Sequence, residues 1–347
     1  MRFSFNSVVS SIFLRNTSRG TTNLTSVTDH VKQLRSRTNL LLYYTADEPD
    51  GSEAPLSAPA SSTAYINSLD PYRPSSLVLN CQDYFFSDYA AGTPILMPDP
   101  YPIGINATYS VVWNTTCTRD QGDCGCDNCV GDFEDIRSRI HEYATRLECS
   151  VGSAPNLSGS FRRPLVAPDR GASNSYIQSR CRHRLAKAYS IYSCLAYRYW
   201  SHIPTGAEFM VEMIVAINAG ARGSVAWNDP TTPDIKANAS ALALALSDLT
   251  PFLLSSPLSQ PPVHFTHIVT PLRLDFGVWA SADGKTLVVG TNLNYFAANV
   301  TLGEIFSAAD HTVLVSGSPR MVLDGGGRII GSHVVFGSVQ SGAWIFC

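Results

Sequence analysis

Two periodicities divide the chain. Up to about residue 250, short wholly apolar runs alternate with stretches whose apolar positions recur every three to four residues, and after about Pro262 the period drops to two. In the first region Asn39–Tyr44, Ser76–Asn80, Pro94–Met97 and Gly223–Trp227 read as strands of a buried parallel sheet, with Ser11–Leu14 as a strand tail. Between them, a helix is predicted over Thr25–Leu34, where Val27, Val31 and Leu34 share a face behind Ser26 as N-cap. A short helix follows near Ala64–Leu69. The stripe Phe133, Ile136, Ile140 and Tyr143 predicts another over Asp132–Leu147. Two more are expected over Ala207–Ala219, stopped by Gly220, and over Ile235–Leu249. Strand alternating with helix is the pattern of a parallel α/β fold. In the second region "LDFGVWASADGKTLVVGTNLN" alternates about Asp283-Gly284, a hairpin signal. Further strands are predicted at Asn299–Leu302, His311–Val315, Arg328–Ile330, Ser332–Phe336 and the terminal "GAWIF". Residues 263–347 therefore read as a small antiparallel β-sandwich.

Residues 151–200 follow neither period. They carry Arg162, Arg163, Arg170, Arg180, Arg182, Arg184, Lys187 and Arg198 against the single acid Asp169. The segment can be a basic arm for a polyanion, a disordered loop, or an aberrant insert such as a retained intron.

Composition narrows the function. The chain has 347 residues, 44% of them hydrophobic, which is enough for a large core. A net charge of −3 gives no overall footprint for nucleic acid. No apolar run approaches the roughly 20 residues that cross a bilayer. Asn-x-Ser/Thr sequons at Asn16, Asn23, Asn106, Asn114, Asn156, Asn238 and Asn299, together with nine cysteines, point to a secreted, glycosylated protein. "MRFSFNSVVSSIFLRN" is a poor signal peptide, so an extracellular destination would need a start that this sequence lacks. Cys117, Cys124, Cys126 and Cys129 could hold zinc, but their crowding and the secretory signs favour disulfides and no metal.

Chemistry concentrates where the apolar runs stop. In parallel barrels the reactive groups lie on the loops after strand carboxyl ends. Asp47 and Glu48 follow the first strong strand, Asp99 follows Pro94–Met97, and Asn228 and Asp229 follow Gly223–Trp227. Cleaving a glycosidic bond takes two carboxylates across a sugar, one giving a proton and the other acting as nucleophile or base. Tyr44, Tyr101 and Trp227 lie beside these acids, where aromatic rings could stack on a pyranose face. Pro49 fixes the turn after Glu48, and Asp50 is expected to cap it or face solvent. The bland alternative for any one of these acids is a turn or a helix cap.

"YYTADEPDG", "LVLNCQDYFFSDY", "PILMPDPYPIGINATYSVVWNTTC", "GDCGCDNC" and "VAWNDPTTPDIKA" resemble a group of secreted fungal proteins of the glycoside hydrolase superfamily. The resemblance covers about Arg15–Leu147 and Pro204–Val315. It implies a (β/α)8 TIM-type barrel over residues 1–262 and a C-terminal β domain over 263–347. Only five strands of the expected eight are legible, so the barrel is predicted to be incomplete. In the large retaining clan an Asn-Glu pair supplies the acid/base, so Asp47-Glu48 looks like that pair with Asp in the Asn place. The clan's second carboxylate would fall between Glu148 and Glu208, where no Glu occurs, which leaves Asp99 as the candidate partner. The resemblance implies an oligo- or polysaccharide as binding partner, no cofactor, and a monomer. A non-catalytic glycan-binding protein and an inactive truncated product are the alternatives.

Overall fold

The computed structural model describes residues 8–11, 24–51, 54–80, 83–110, 114–118, 126, 129–151, 202, 204–225, 232–254, 263–309 and 318–347. The predicted strand at His311–Val315 and the segment 152–200 lie outside them. Strands β1 (Val8–Ser11), β2 (Leu40–Asp47), β3 (Ser75–Leu79) and β4 (Ile95–Pro98) form one parallel sheet in the order β1-β2-β3-β4. Helices α1 (Leu24–Leu34), α2 (Ala58–Leu69) and α3 (Phe86–Ala90) connect them. A small hairpin follows, β5 (Tyr109–Ser110) with β6 (Thr115–Thr116), and then α4 (Glu134–Val151), α5 (Gly206–Asn218) and α6 (Pro233–Leu253). Among the described residues this sheet has four strands and no closed barrel forms.

The predicted strand at Gly223–Trp227 is not regular. Ser224 makes a single bridge and Val225 none, while residues 226–231 are outside the described set. Val225 still packs beside Leu42, Tyr44, Val78 and Met97, so its apolar side chain is used without a ladder. Ser26 lies in the first turn of α1 and is not its cap, because the helix starts at Leu24.

β2 shows why an all-apolar run was legible but its faces were not. Val8 pairs with Leu40 and Val9 with Leu42, so Leu41 is an extra residue, left 44% exposed. The bulge brings Leu40 and Tyr43 to one face, against Val27, Val31 and Leu34 of α1 and Ile66 of α2. Leu77, Leu79 and Leu96 pack with Phe86, Tyr89, Tyr143 and Leu147 of α3 and α4. A second irregularity at Thr45 precedes the strand end, and the Thr45 hydroxyl donates to the Ser76 carbonyl at 2.8 Å.

The C-terminal part contains β7 (Val263–Val269), β8 (Leu274–Ser281), β9 (Thr286–Asn292), β10 (Ala298–Thr301), α7 (Leu302–Ala308), β11 (Arg320–Gly325), β12 (Arg328–Ile330), β13 (His333–Phe336) and β14 (Ser341–Phe346). A five-stranded antiparallel sheet, β11-β14-β9-β8-β7, faces a three-stranded one, β10-β13-β12. Phe276, Val288, Trp344 and Phe346 meet Val300, Val334 and Phe336 between the sheets, with Ile305 and Phe306 of α7 closing the edge. The other face of the large sheet is also buried. Trp279, Leu287, Val289 and Ile345 lie under Met210, Met213 and Ile214 of α5 and Leu242, Leu249 and Phe252 of α6. β8 and β9 are thus apolar on both faces. The junction has a polar centre: fully buried Asp275 accepts from Arg137 at 2.7 Å and from Asn218 at 2.8 Å, and lies 3.1 Å from His267 Nε2.

Two buried carboxylates hold the loops after β2 and β3. Asp50 is only 8% exposed, so of the two expected roles it does not face solvent, and its carboxylate caps a backbone amide. Its Oδ1 accepts the Asn80 amide at 3.0 Å, tying the two strand ends together, and its Oδ2 has no hydrogen-bond partner. Burial raises its proton affinity, against the opposing bond from Asn80. Asp83, 1% exposed, accepts from Tyr143 at 2.6 Å and from Arg139 at 3.3 Å, so the β3 loop is fastened to α4. Burial pushes the Asp83 carboxyl up to about 7, despite the Arg139 charge and the Tyr143 bond pulling it down.

Folded Asp83 keeps its proton to about pH 7, whereas an unfolded aspartate loses it near 4. Across that window the folded chain binds more protons, so stability falls as pH rises, by at most about 1.4 kcal/mol per pH unit. Asp83→Asn should flatten this slope, as read from urea midpoints at pH 5 and pH 7. Asp50→Ala leaves the Asn80 amide without its acceptor and should cost about 1–3 kcal/mol in the same assay. Asp50→Asn keeps an acceptor and should cost less.

Candidate active site

The carboxyl ends of β2, β3 and β4 lie level. Asp47 is in register with Val78 of β3, which is in register with Met97 of β4, two residues before Asp99. Asp47 is the last residue of β2 and not the first of the loop, and Glu48 follows it directly. Glu48 is half-buried and has a φ of 47°, a left-handed backbone that a glutamate seldom adopts. Its amide donates to the Val78 carbonyl at 3.0 Å, so β3 holds the turn. Pro49 and Asp50 are buried beyond it, and Asp50 grips Asn80. The sharp reversal after the strand is therefore held on both sides of Glu48.

Tyrosines supply the donors. The Tyr44 hydroxyl donates to Asp47 Oδ1 at 2.6 Å. The Tyr101 hydroxyl donates to the carboxylate of Asp99, which is 4% exposed. The rings are 2% and 3% exposed, so they orient carboxylates and are not open stacking faces for a sugar. Burial, then the charges of Asp47 and Asp99, the Asp47 hydrogen bond and the charge of Glu48 hold the Tyr44 proton on far above the usual phenol range. Three carboxylates from two strand ends thus act on one phenol. Trp227, Asn228 and Asp229 are outside the described residues.

The tyrosine hydroxyls orient the carboxylates of Asp47 and Asp99. Among the described residues no cluster of His, Cys, Asp and Glu could hold a metal ion. No helix there is long and apolar enough to cross a membrane. Asp83 and Asn80 were not singled out from the sequence. A signal existed, since both follow the apolar run of β3 as Asp47 and Glu48 follow that of β2.

Next to the site, Cys126 and Cys129 form a disulfide, and Cys117 is also disulfide-bonded, while Cys124 is outside the described residues. Of the sequons, Asn106, Asn114 and Asn299 are exposed. Asn238 is half-buried on α6, its side-chain amide donating to the Asp234 carbonyl at 3.0 Å. Asn16, Asn23 and Asn156 lie outside the described residues.

No protein-family model and no curated protein matches the chain. Solved structures similar to it include glycoside hydrolases. An α-amylase from Anoxybacillus shares 11% identity at a TM-score of 0.48, over 93% of this chain and 62% of its own. A putative α-galactosidase from Bacteroides fragilis shares 11% at 0.47, over 97% and 61%. α-Galactosidase I from Mortierella vinacea shares 11% at 0.45, over 97% and 75%. The chain thus spans about three fifths of the length of the first two, and likenesses of this degree assign it to no family.

Proposed function

We propose that the chain belongs to a secreted glycosidase, fungal in type, that cleaves glycosidic bonds in an extracellular glycan. The observation that carries this reading is the level carboxyl ends of β2, β3 and β4, which bring Asp47, Glu48 and Asp99 to one end of the sheet, with Glu48 held in a left-handed turn. Backbone strain of that kind costs about 1–3 kcal/mol and persists where the surroundings enforce it, often at functional sites. Glu48 gives its proton to the departing glycosidic oxygen. Asp99, whose carboxylate accepts from Tyr101, is the candidate base or nucleophile. Asp47, oriented by Tyr44, accepts a hydrogen bond from a sugar hydroxyl. Trp227, Asn228 and Asp229 are the further candidates for sugar contact that the sequence offers. The exposed sequons and the disulfides fit passage through a secretory pathway, and the protein acts as a monomer without a cofactor.

Incubation with a panel of unactivated poly- and oligosaccharides should yield reducing ends for at least one of them. Glu48→Gln keeps the side chain's shape and removes its proton, and should lower that rate about 10²–10⁴-fold while binding is retained. Asp50→Asn, whose side chain reaches Asn80 and not the cluster around Tyr44, should lower it far less. Near-full activity in Glu48→Gln would remove Glu48 as the acid. Binding of a glycan by the unmodified chain with no release of reducing ends would identify a non-catalytic glycan-binding protein.

A further inference from the structure

We infer that the Cys126–Cys129 bridge is a positioning element for the Asp99 carboxylate, acting through Tyr101. The inference rests on the reading of Asp99 as a site residue. Cys126, 2% exposed, and Tyr101, 3% exposed, share one apolar cluster, with Ile105 and Cys129 packed against it. The bridge is therefore part of the wall that sets the direction of the Tyr101 ring. That direction decides whether the Tyr101 hydroxyl reaches Asp99, to which it donates.

The bridge suits a local task better than a global one. It joins residues only three apart, and the loop-closure entropy that a disulfide removes from the unfolded chain is smallest for such short loops. It is also stiffly mounted. The Cys129 amide donates to the Cys126 carbonyl at 3.2 Å. Just downstream, the amides of Val130, Gly131 and Asp132 donate to Asp135 near the start of α4, at 3.0, 2.8 and 3.1 Å. Gly131 has a φ of 96°, which lets the chain turn so that all three amides meet one carboxylate. A wall anchored in this way passes its position on to whatever packs against it.

Opening the bridge takes a dithiol reductant. One thiolate attacks Sγ of Cys129, the better exposed sulfur, and the S–S bond breaks, so that Cys126 leaves as a thiolate and takes up a proton. The second thiol of the reductant then displaces Cys129, giving two cysteine thiols and one oxidised reductant. Without the bond the 126–129 turn can spread, and Tyr101 loses its fixed wall.

The test follows the Asp99 side-chain carboxyl carbon by NMR through a pH titration. The samples are the bridged chain, the chain treated with dithiothreitol, Tyr101→Phe, and Cys126→Ala/Cys129→Ala. The double variant is needed because Cys117 is also disulfide-bonded and is open to reduction. Tyr101→Phe removes a donor to the ionised form and should raise the Asp99 midpoint by about one pH unit. The reduced chain and the double variant should shift it the same way by a smaller amount, with the urea midpoint of global unfolding nearly unchanged. An Asp99 midpoint that is the same with and without the bridge would overturn the inference. So would global unfolding of both bridge-free forms, since the bridge would then hold the fold and not the site. Should no form release reducing ends from any glycan, the hydrolase reading fails, and the Asp99 midpoints still decide whether the bridge positions this carboxylate.

Discussion

Carboxylates taken out of water need donors, and in this chain tyrosine is the recurrent supplier. Tyr43 donates to Asp70 at 2.8 Å, Tyr44 to Asp47 at 2.6 Å, Tyr143 to Asp83 at 2.6 Å and Tyr295 to Glu208 at 2.6 Å, and Tyr101 donates to Asp99. A phenol brings a hydrogen bond without a countercharge, while its ring fills apolar space. At Asp70 and Asp83 an arginine joins the phenol, Arg73 at 2.8 Å and Arg139 at 3.3 Å. Where charge must be balanced for structure alone, arginine appears, as at Asp275 with Arg137 and Glu134 with Arg273. In the candidate site tyrosine pairs with Asp47 and Asp99, and the domain junction uses both kinds, Tyr295 with Glu208 and Arg137 with Asp275.

The same constraint links the site to the helices behind it. Asp83 leaves the end of β3 and is gripped by Tyr143 and Arg139, both on α4. Asp50 leaves the end of β2 and grips β3 through Asn80. α4 in turn reaches the β domain through Arg137 and Glu134. The loops that carry the candidate acids are thus referenced, in two steps, to the large antiparallel sheet. That sheet is rigid by construction, since the apolar residues of β8 and β9 are buried on both faces.

Legibility followed the range of the physics. Apolar runs and helical stripes are local, so β2, β3, β4, α4, α5 and the Asp283-Gly284 hairpin were readable within a few residues. The bulges at Leu41 and Thr45 were not, because they are fixed by pairing with β1 and β3. α7 escaped notice although Thr301 and Glu304 form a capping box, because the strand before it has the stronger pattern. In the site, the run Asp47-Glu48-Pro49-Asp50 marked the right place, but the burial of Asp50 was not legible. An acid after Glu-Pro looks like a solvent-facing cap. Only the approach of Asn80 across the sheet makes it a buried clamp. By their place beside the acids, Tyr44 and Tyr101 read as stacking rings. Their hydroxyls proved more telling than their faces, because residues two or three apart at a strand end can bond to one another.

Backbone strain at the strand ends points the same way. Glu48, Asp83 and Phe85, none of them glycine, take φ values of 47°, 54° and 53° in the loops after β2 and β3. Each could be relieved by glycine at no steric cost, and each keeps a side chain that glycine lacks. For Asp83 the reason is visible, since its carboxylate fastens the loop to α4. For Glu48 the backbone is held by the amide bond to Val78 and by the neighbouring Asp50 clamp. Strained, non-glycine side chains are thus kept at the ends of β2 and β3, where the strand register brings Asp47, Glu48 and Asp99 level.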